Sequence, residues 1–321
     1  MAGSAMDALL RLDKEALFKS VGYEPHPGQA EVHASNAPRR VVACGVRWGK
    51  TTCAVHEALC GLLAPSGPSC GWVVSPTFDT SDLVVRELLG LLEEHFAHRL
   101  LELDRRGRRA VVRNLAGHPA EVVAKSATRP AALLGASLNW VIIDEAARLK
   151  SEIWSEHLSQ RLVDRNGWAL LASTPRGKDC WFHEEFKRGK DGEPGYASWT
   201  RSTWDNPSID KAVIDAEKER LDRRVFYTEY GGEFIGDAGR ICPVCHWGEV
   251  VNGRILSGEQ WARCRSCEEC QRPIDEDGEP VGMLDANGRV MVNVYYDAGR
   301  GEVHIHFDPV LRESECSDGF E

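Results

Sequence analysis

The β-rich apolar run Val41–Cys44 breaks into Gly45-Val-Arg-Trp-Gly-Lys-Thr-Thr52, and a helical pattern over 50–63 follows. A strand, a glycine-bounded turn ending in Lys-Thr and a helix, in immediate succession, fit few folds. The turn and the helix start aim backbone N–H groups at one point, which suits phosphate oxygens. Gly45, Gly49, Lys50, Thr51 and Thr52 are therefore candidate nucleotide ligands. Lys50 is expected against the β/γ oxygens and the Thr51 hydroxyl on magnesium. Measured against GxxxxGK[ST], Cys44 stands at the first glycine position and a glycine follows one residue later.

A second apolar run, Trp140–Asp144, ends in the pair Asp144–Glu145. Alone, such a pair reads equally as a helix N-cap. With Lys50 upstream, Asp144 is expected to hold Mg²⁺, and Glu145 to orient and deprotonate the attacking water. The next run, Ala169–Ser173, passes into Thr174-Pro-Arg-Gly177. The hydroxyls of Ser173 and Thr174 suit a γ-phosphate sensor, though an ordinary turn uses the same residues. Gln29, in Tyr23-Glu-Pro-His-Pro-Gly-Gln29, carries a carboxamide able to pair an adenine edge, and its plain reading is a surface glutamine.

These runs, with Gly71–Ser75 and Ala120–Ala124, alternate with helical patterns at 80–96, 151–163 and 178–188. The alternation predicts an α/β P-loop NTPase fold of RecA-like type, a parallel sheet with helices on both faces. Residues 1–235 are expected to form that domain, opening on an amphipathic N-terminal helix. A zinc-ribbon-like segment is expected over 236–285, and a β-hairpin with a tail over 286–321. Cys242-x-x-Cys245, eighteen residues, then Cys264-x-x-Cys267 has the spacing of a tetrahedral structural zinc site. Reduced loop cysteines are the alternative.

A net charge of −10 opposes whole-surface attraction to nucleic acid or anionic membrane, but permits a local basic groove. Arg105, Arg106, Arg108, Arg109 and Arg113, around an expected hairpin turn at Gly107, are the densest basic patch. They read as a DNA contact or, equally, as a solvated turn. No apolar run approaches the roughly 20 residues of a membrane span, and the N-terminus has no secretory pattern, so a cytoplasmic protein is expected.

Taken together, Pro27–Gln29, Cys44–Thr52, Val73–Phe78, Val141–Ala147, Ser173–Gly177, Ser202–Pro207 and Glu229–Phe234 resemble the ATPase half of tailed-phage terminase large subunits. The resemblance covers roughly residues 20–235. It implies MgATP hydrolysis driving double-stranded DNA into procapsids, a homo-oligomeric ring, and portal and small-terminase partners in an infected or lysogenic host cell. It also casts Ser173–Thr174 as a coupling motif, and the zinc ribbon is similar to that of the lambda-type branch. Such phosphate loops usually read Gly-Arg-Arg-x-Gly-Lys, and here Val46 replaces the first arginine, leaving Arg47. The family's Leu-Arg-Gly before the acidic pair is Leu133-Leu134-Gly135 here, so Arg129 is the nearest substitute for an arginine reaching a neighbour. No nuclease is expected, since few residues follow the motor. The alternatives are a superfamily-2-like helicase and a non-catalytic zinc-ribbon adaptor on a degenerate phosphate loop.

Overall fold

In the computed structural model, residues 5–178 and 180–235 are described, with only the backbone for 78–82. Beyond them the described residues are the strands 240–241, 249–251, 254–255, 281–284, 290–297 and 302–307. The chain divides into two compact units, Met1–Ile235 and Gly236–Glu321. No helix among the described residues is long and apolar enough to cross a membrane.

The first unit is built on β1 (Arg39–Cys44), β2 (Ser69–Ser75), β3 (Leu100–Asp104), β4 (Arg109–Arg113), β5 (Pro119–Ser126), β6 (Trp140–Asp144), β7 (Trp168–Ser173) and β8 (Tyr196–Arg201). Its helices are α1 (Ala5–Leu10), α2 (Lys14–Ser20), α3 (Pro27–Ala34), α4 (Lys50–Leu63), α5 (Phe78–His95), α6 (Trp181–Lys190), α7 (Lys211–Arg220) and α8 (Arg223–Glu229). The strands form one sheet in the order β3-β4-β5-β2-β6-β7-β1-β8. Strand residues alternate between its faces. Val42, Val73, Ile142 and Leu170 therefore pack with α4 and α5. Val41, Val74, Val141, Ile143 and Leu171 pack with Trp154, Leu158 and Phe182 on the other face. This double burial explains why the central strands read as continuous apolar runs.

The sheet is mixed rather than wholly parallel. β5, β2, β6, β7, β1 and β8 run parallel, whereas β3–β4 and β4–β5 pair antiparallel. β3 is the edge strand on that side, and its charged residues suit the position. In that hairpin Arg105 pairs with Glu93, and Arg109 with Glu102 and Glu121, so part of the basic patch is spent on carboxylates.

Two helical expectations are also corrected. The N-terminal pattern breaks into α1 and α2 because Asp13 caps the second, its carboxylate accepting from the Ala16 N–H at 2.9 Å. In place of an α-helix over 151–163 stands a wide π-helical turn, Ile153–Leu158, followed by a 3₁₀ turn, Ser159–Leu162. There the Ser155 and Ser159 hydroxyls donate to the carbonyls of Ser151 and Ser155, and such back-bonding loosens the regular ladder.

Among the described residues, the second unit contains two three-stranded sheets. One has the order β11 (Arg254–Ile255), β10 (Glu249–Val251), β9 (Arg240–Ile241). The other has β12 (Val281–Leu284), β13 (Val290–Asp297), β14 (Glu302–Phe307), in which β13 and β14 pair antiparallel as a hairpin. The four cysteines expected to bind zinc lie outside the described residues.

Candidate nucleotide site

β6, β7 and β1 are adjacent and parallel, and their C-terminal ends carry the motif residues. Asp144 is level with Ala172, and Ala43 with Ser173. The Ser173–Thr174 step thus lies between the phosphate loop and the acidic pair, in the crevice where parallel sheets bind ligands.

The loop from Gly45 to Gly49 delivers Lys50 as the first residue of α4. The N–H groups of Lys50, Thr51 and Thr52 have no acceptor within the helix. Those of Arg47 and Gly49 likewise have no protein acceptor among the described residues. Five amides and a helix N-terminus are therefore left for an anion. Lys50, 8% exposed, donates to the carbonyls of Cys44 and Gly45 at 2.8 Å each and to Thr174 Oγ1 at 3.1 Å. Burial pushes its ammonium below the ordinary range.

Gly49 has φ +105°, and a Cβ there would come within 2.6 Å of Gln29 Nε2. Gln29 is 4% exposed rather than a surface residue. Its Nε2 donates to the Gly49 carbonyl at 3.0 Å and its Oε1 accepts from the His26 N–H at 3.2 Å. His26 in turn bonds the Trp48 carbonyl through Nε2 at 2.9 Å.

Asp144 is 5% exposed. Burial, with the neighbouring Glu145 charge, raises its carboxyl to about 6 against the opposing pull of Lys50. A buried carboxylate at the strand end is a hard-oxygen donor of the kind that fits Mg²⁺. Glu145 follows in the left-handed conformation (φ 55°, ψ 40°). Its Oε2 accepts from Arg148 Nε at 3.1 Å. Ser173 is buried, and its hydroxyl donates to the Thr174 carbonyl at 2.9 Å.

Arg47 is exposed with φ 59°, and Arg129 is exposed at the start of a short 3₁₀ turn. Neither guanidinium has a partner among the described residues. Leu134 is 51% exposed, so the place where the resembling family has an arginine faces solvent here.

Behind the loop, Glu57 of α4 is fully buried. It meets Lys14 of α2 at 2.8 Å, His33 of α3 at 2.6 Å and Arg40 of β1 at 2.7 Å. Burial alone would raise the Glu57 carboxyl, but Arg40, Lys14 and His33 hold it well below the usual range. The cluster ties the helix carrying Gln29 to the helix carrying Lys50. Sequence patterns did not reveal this cluster or Arg148, nor that Thr203 and Asn206 donate to the carbonyls of Val46 and Arg47 in the phosphate loop. The available signal was the pair His56–Glu57 set among the apolar residues of α4.

No protein-family model matches the chain. The large terminase subunits of Thermus phage G20c and Thermus virus P23-45 are each 35% identical to it over 255 residues, 71% of this chain and 52% of theirs. The chain thus spans about half the length of these curated relatives. The solved ATPase domain of the Thermus phage P74-26 large terminase is 32% identical with a TM-score of 0.64. The match covers 69% of this chain and 98% of that one. The large terminase of a thermophilic bacteriophage, solved with ADP, shares the fold at 16% identity and a TM-score of 0.57, over 68% of this chain and 55% of that one.

Proposed function

The chain belongs to the terminase large-subunit family, and on that premise we propose that it is a motor ATPase, hydrolysing MgATP to move double-stranded viral DNA into procapsids. The observation that carries this reading is the meeting of Lys50, Thr174 and the Asp144–Glu145 pair at neighbouring strand ends. Hydrolysis requires a phosphate cradle and a base in one crevice. Motion requires a contact that reports the state of the phosphate. The ADP and ATP-gamma-S complexes of the thermophilic bacteriophage's large terminase support a nucleotide as the ligand.

In this mechanism the amides of Arg47 and Gly49–Thr52 receive the phosphates, and Lys50 turns from the loop carbonyls to the β/γ oxygens. Thr51 and Asp144 would hold Mg²⁺, which when bound would supply positive charge against the phosphates. Glu145 takes a proton from the attacking water as the γ-phosphoryl group passes to it, giving ADP and phosphate. Thr174, released by Lys50, and Ser173 carry the change to the rest of the domain. Gln29 keeps one donor and one lone pair beyond its present bonds, enough for an adenine edge. Arg47 serves its own site, and Arg129 that of a neighbour in a homo-oligomeric ring, as neutralisers of transition-state charge.

The proposal extends to portal, procapsid and small-terminase partners in the host cytoplasm, with residues 1–235 as the motor. It also includes a structural zinc on Cys242, Cys245, Cys264 and Cys267 in 236–285, and a hairpin unit over 286–321. Zinc content tests the metal separately, with one equivalent per chain expected and none refuting it. The motor is tested by ATP turnover with and without duplex DNA. DNA-stimulated turnover that disappears in Glu145→Ala is expected. Turnover indifferent to both would sink the motor reading.

A further inference from the structure

The outer side of the phosphate loop is bound by a segment to which no role has been given. The N–H groups of Gly45 and Val46 donate to the carbonyls of Arg201 at 2.9 Å and Glu229 at 2.6 Å. Thr203 Oγ1 donates to the Val46 carbonyl at 2.6 Å, and Asn206 Nδ2 to the Arg47 carbonyl at 2.7 Å. The fit is close: a Cβ on Gly45 would collide with the Tyr230 carbonyl and lie 2.8 Å from Thr203 Oγ1.

A trans peptide points its C=O and the following N–H in opposite directions. The peptides 44–45 and 45–46 send their N–H groups outward to Arg201 and Glu229, so their carbonyls face inward, where Lys50 holds them. The peptides 46–47 and 47–48 are reversed. Their carbonyls face outward to Thr203 and Asn206, so the Arg47 and Trp48 N–H groups face inward; the Trp48 N–H closes the turn on the Gly45 carbonyl at 3.4 Å, and the Arg47 N–H is left open. The reversal falls at Val46, followed at once by the left-handed Arg47. A loop with inward carbonyls repels phosphate, and one with inward amides binds it.

We propose that Thr203 and Asn206 are positioning residues for the phosphate cradle, fixing the point at which its inward groups change from carbonyls to amides. This rests on the nucleotide reading of the site. Removing either donor frees the 46–48 peptides to rotate. The loss falls on ground-state and transition-state phosphate alike, so KM rises while kcat is kept.

The test is titration of the full chain with MgADP, together with steady-state ATP turnover, for wild type, Thr203→Val, Thr203→Ser and Asn206→Asp. Asn206→Asp keeps the Oδ1 atom that accepts from the Ser208 N–H at 3.0 Å and replaces the donor by a charged oxygen, so its affinity is read at several salt concentrations, where a through-space charge effect is screened and a lost donor is not. MgADP affinity and 1/KM are expected to fall about tenfold in Thr203→Val and Asn206→Asp, and to be restored in Thr203→Ser. A merely structural role would instead lower kcat through a smaller folded fraction, at unchanged KM. If Thr203→Val does not fold, Asn206→Asp decides. Unchanged MgADP affinity and KM in the folded variants would overturn the inference while leaving the nucleotide site intact. A wild-type chain that binds no MgADP would remove the nucleotide reading itself.

Discussion

The phosphate loop and the carboxylate loop leave strand ends separated only by β7, yet they are held very differently. Around Lys50 the loop is bonded by Gln29 and His26 on one side and by Thr203, Asn206 and the carbonyls of 201 and 229 on the other. Glu145 has a left-handed backbone and a single pair to Arg148, whose side chain is 53% exposed. The binding wall is thus organised before any ligand arrives, which lowers the ordering cost of binding. The hydrolytic wall is free to adjust, as a residue that must act only at the right moment requires.

The strongest way to break this comparison is to remove the anchor of the rigid wall. Glu57→Leu leaves Arg40 buried, and Lys14 partly buried, without their carboxylate, at an expected cost of about 3–5 kcal/mol. Thermal melting should show a drop on the order of 10 °C for a domain of this size. A midpoint unchanged within a degree would mean that the cluster anchors nothing. Lys50→Ala attacks the same wall from inside. MgADP affinity should fall about a hundredfold in a calorimetric titration, because a charge-assisted contact is lost.

The pH dependence of stability sharpens the picture of the anchor. Burial lowers the His33 imidazole, and it lowers His56 to about 4, so the folded chain keeps both neutral. The unfolded chain binds protons there below about 6.5, so it holds more protons than the folded one and stability falls as pH falls. The slope is at most about 1.4 kcal/mol per pH unit for each histidine. Asp144, raised to about 6 in the folded chain, gains its proton there first and opposes this trend, so the histidine share is read in urea unfolding from pH 7 to 5 as the difference in slope between wild type and His56→Gln. The smallest effect belongs to the adjustable wall. Arg148→Ala should change ATP turnover by no more than about fivefold, since a half-exposed pair contributes about 1 kcal/mol or less. A loss of a hundredfold would make Arg148 part of the rigid machinery.

Asp144 and Ser173 were legible because each closes a continuous apolar run, and Lys50 because it follows one across a glycine-bounded turn; parallel strands bring such ends together. The central strands were legible for the same reason. The β3–β4 hairpin was not placed in the sheet, because an edge strand lacks the two-sided burial that writes itself as an apolar run. The turns at 153–162 kept a helical period while serine hydroxyls disrupted the ladder. Gln29 was visible as a residue type, but its bonds to Gly49 and His26 depend on how α3 meets the loop. Thr203 and Asn206 stood out only as part of a family-like stretch, since their acceptors are carbonyls more than 150 positions away.

The division between a binding wall and a hydrolytic wall is tested most directly by Glu145→Ala, with MgATP binding and single-turnover hydrolysis measured on the same preparation. Binding should match wild type, while hydrolysis falls by about a hundredfold or more, the usual contribution of a positioned base. Hydrolysis at the wild-type rate, or a parallel loss of binding, would contradict it.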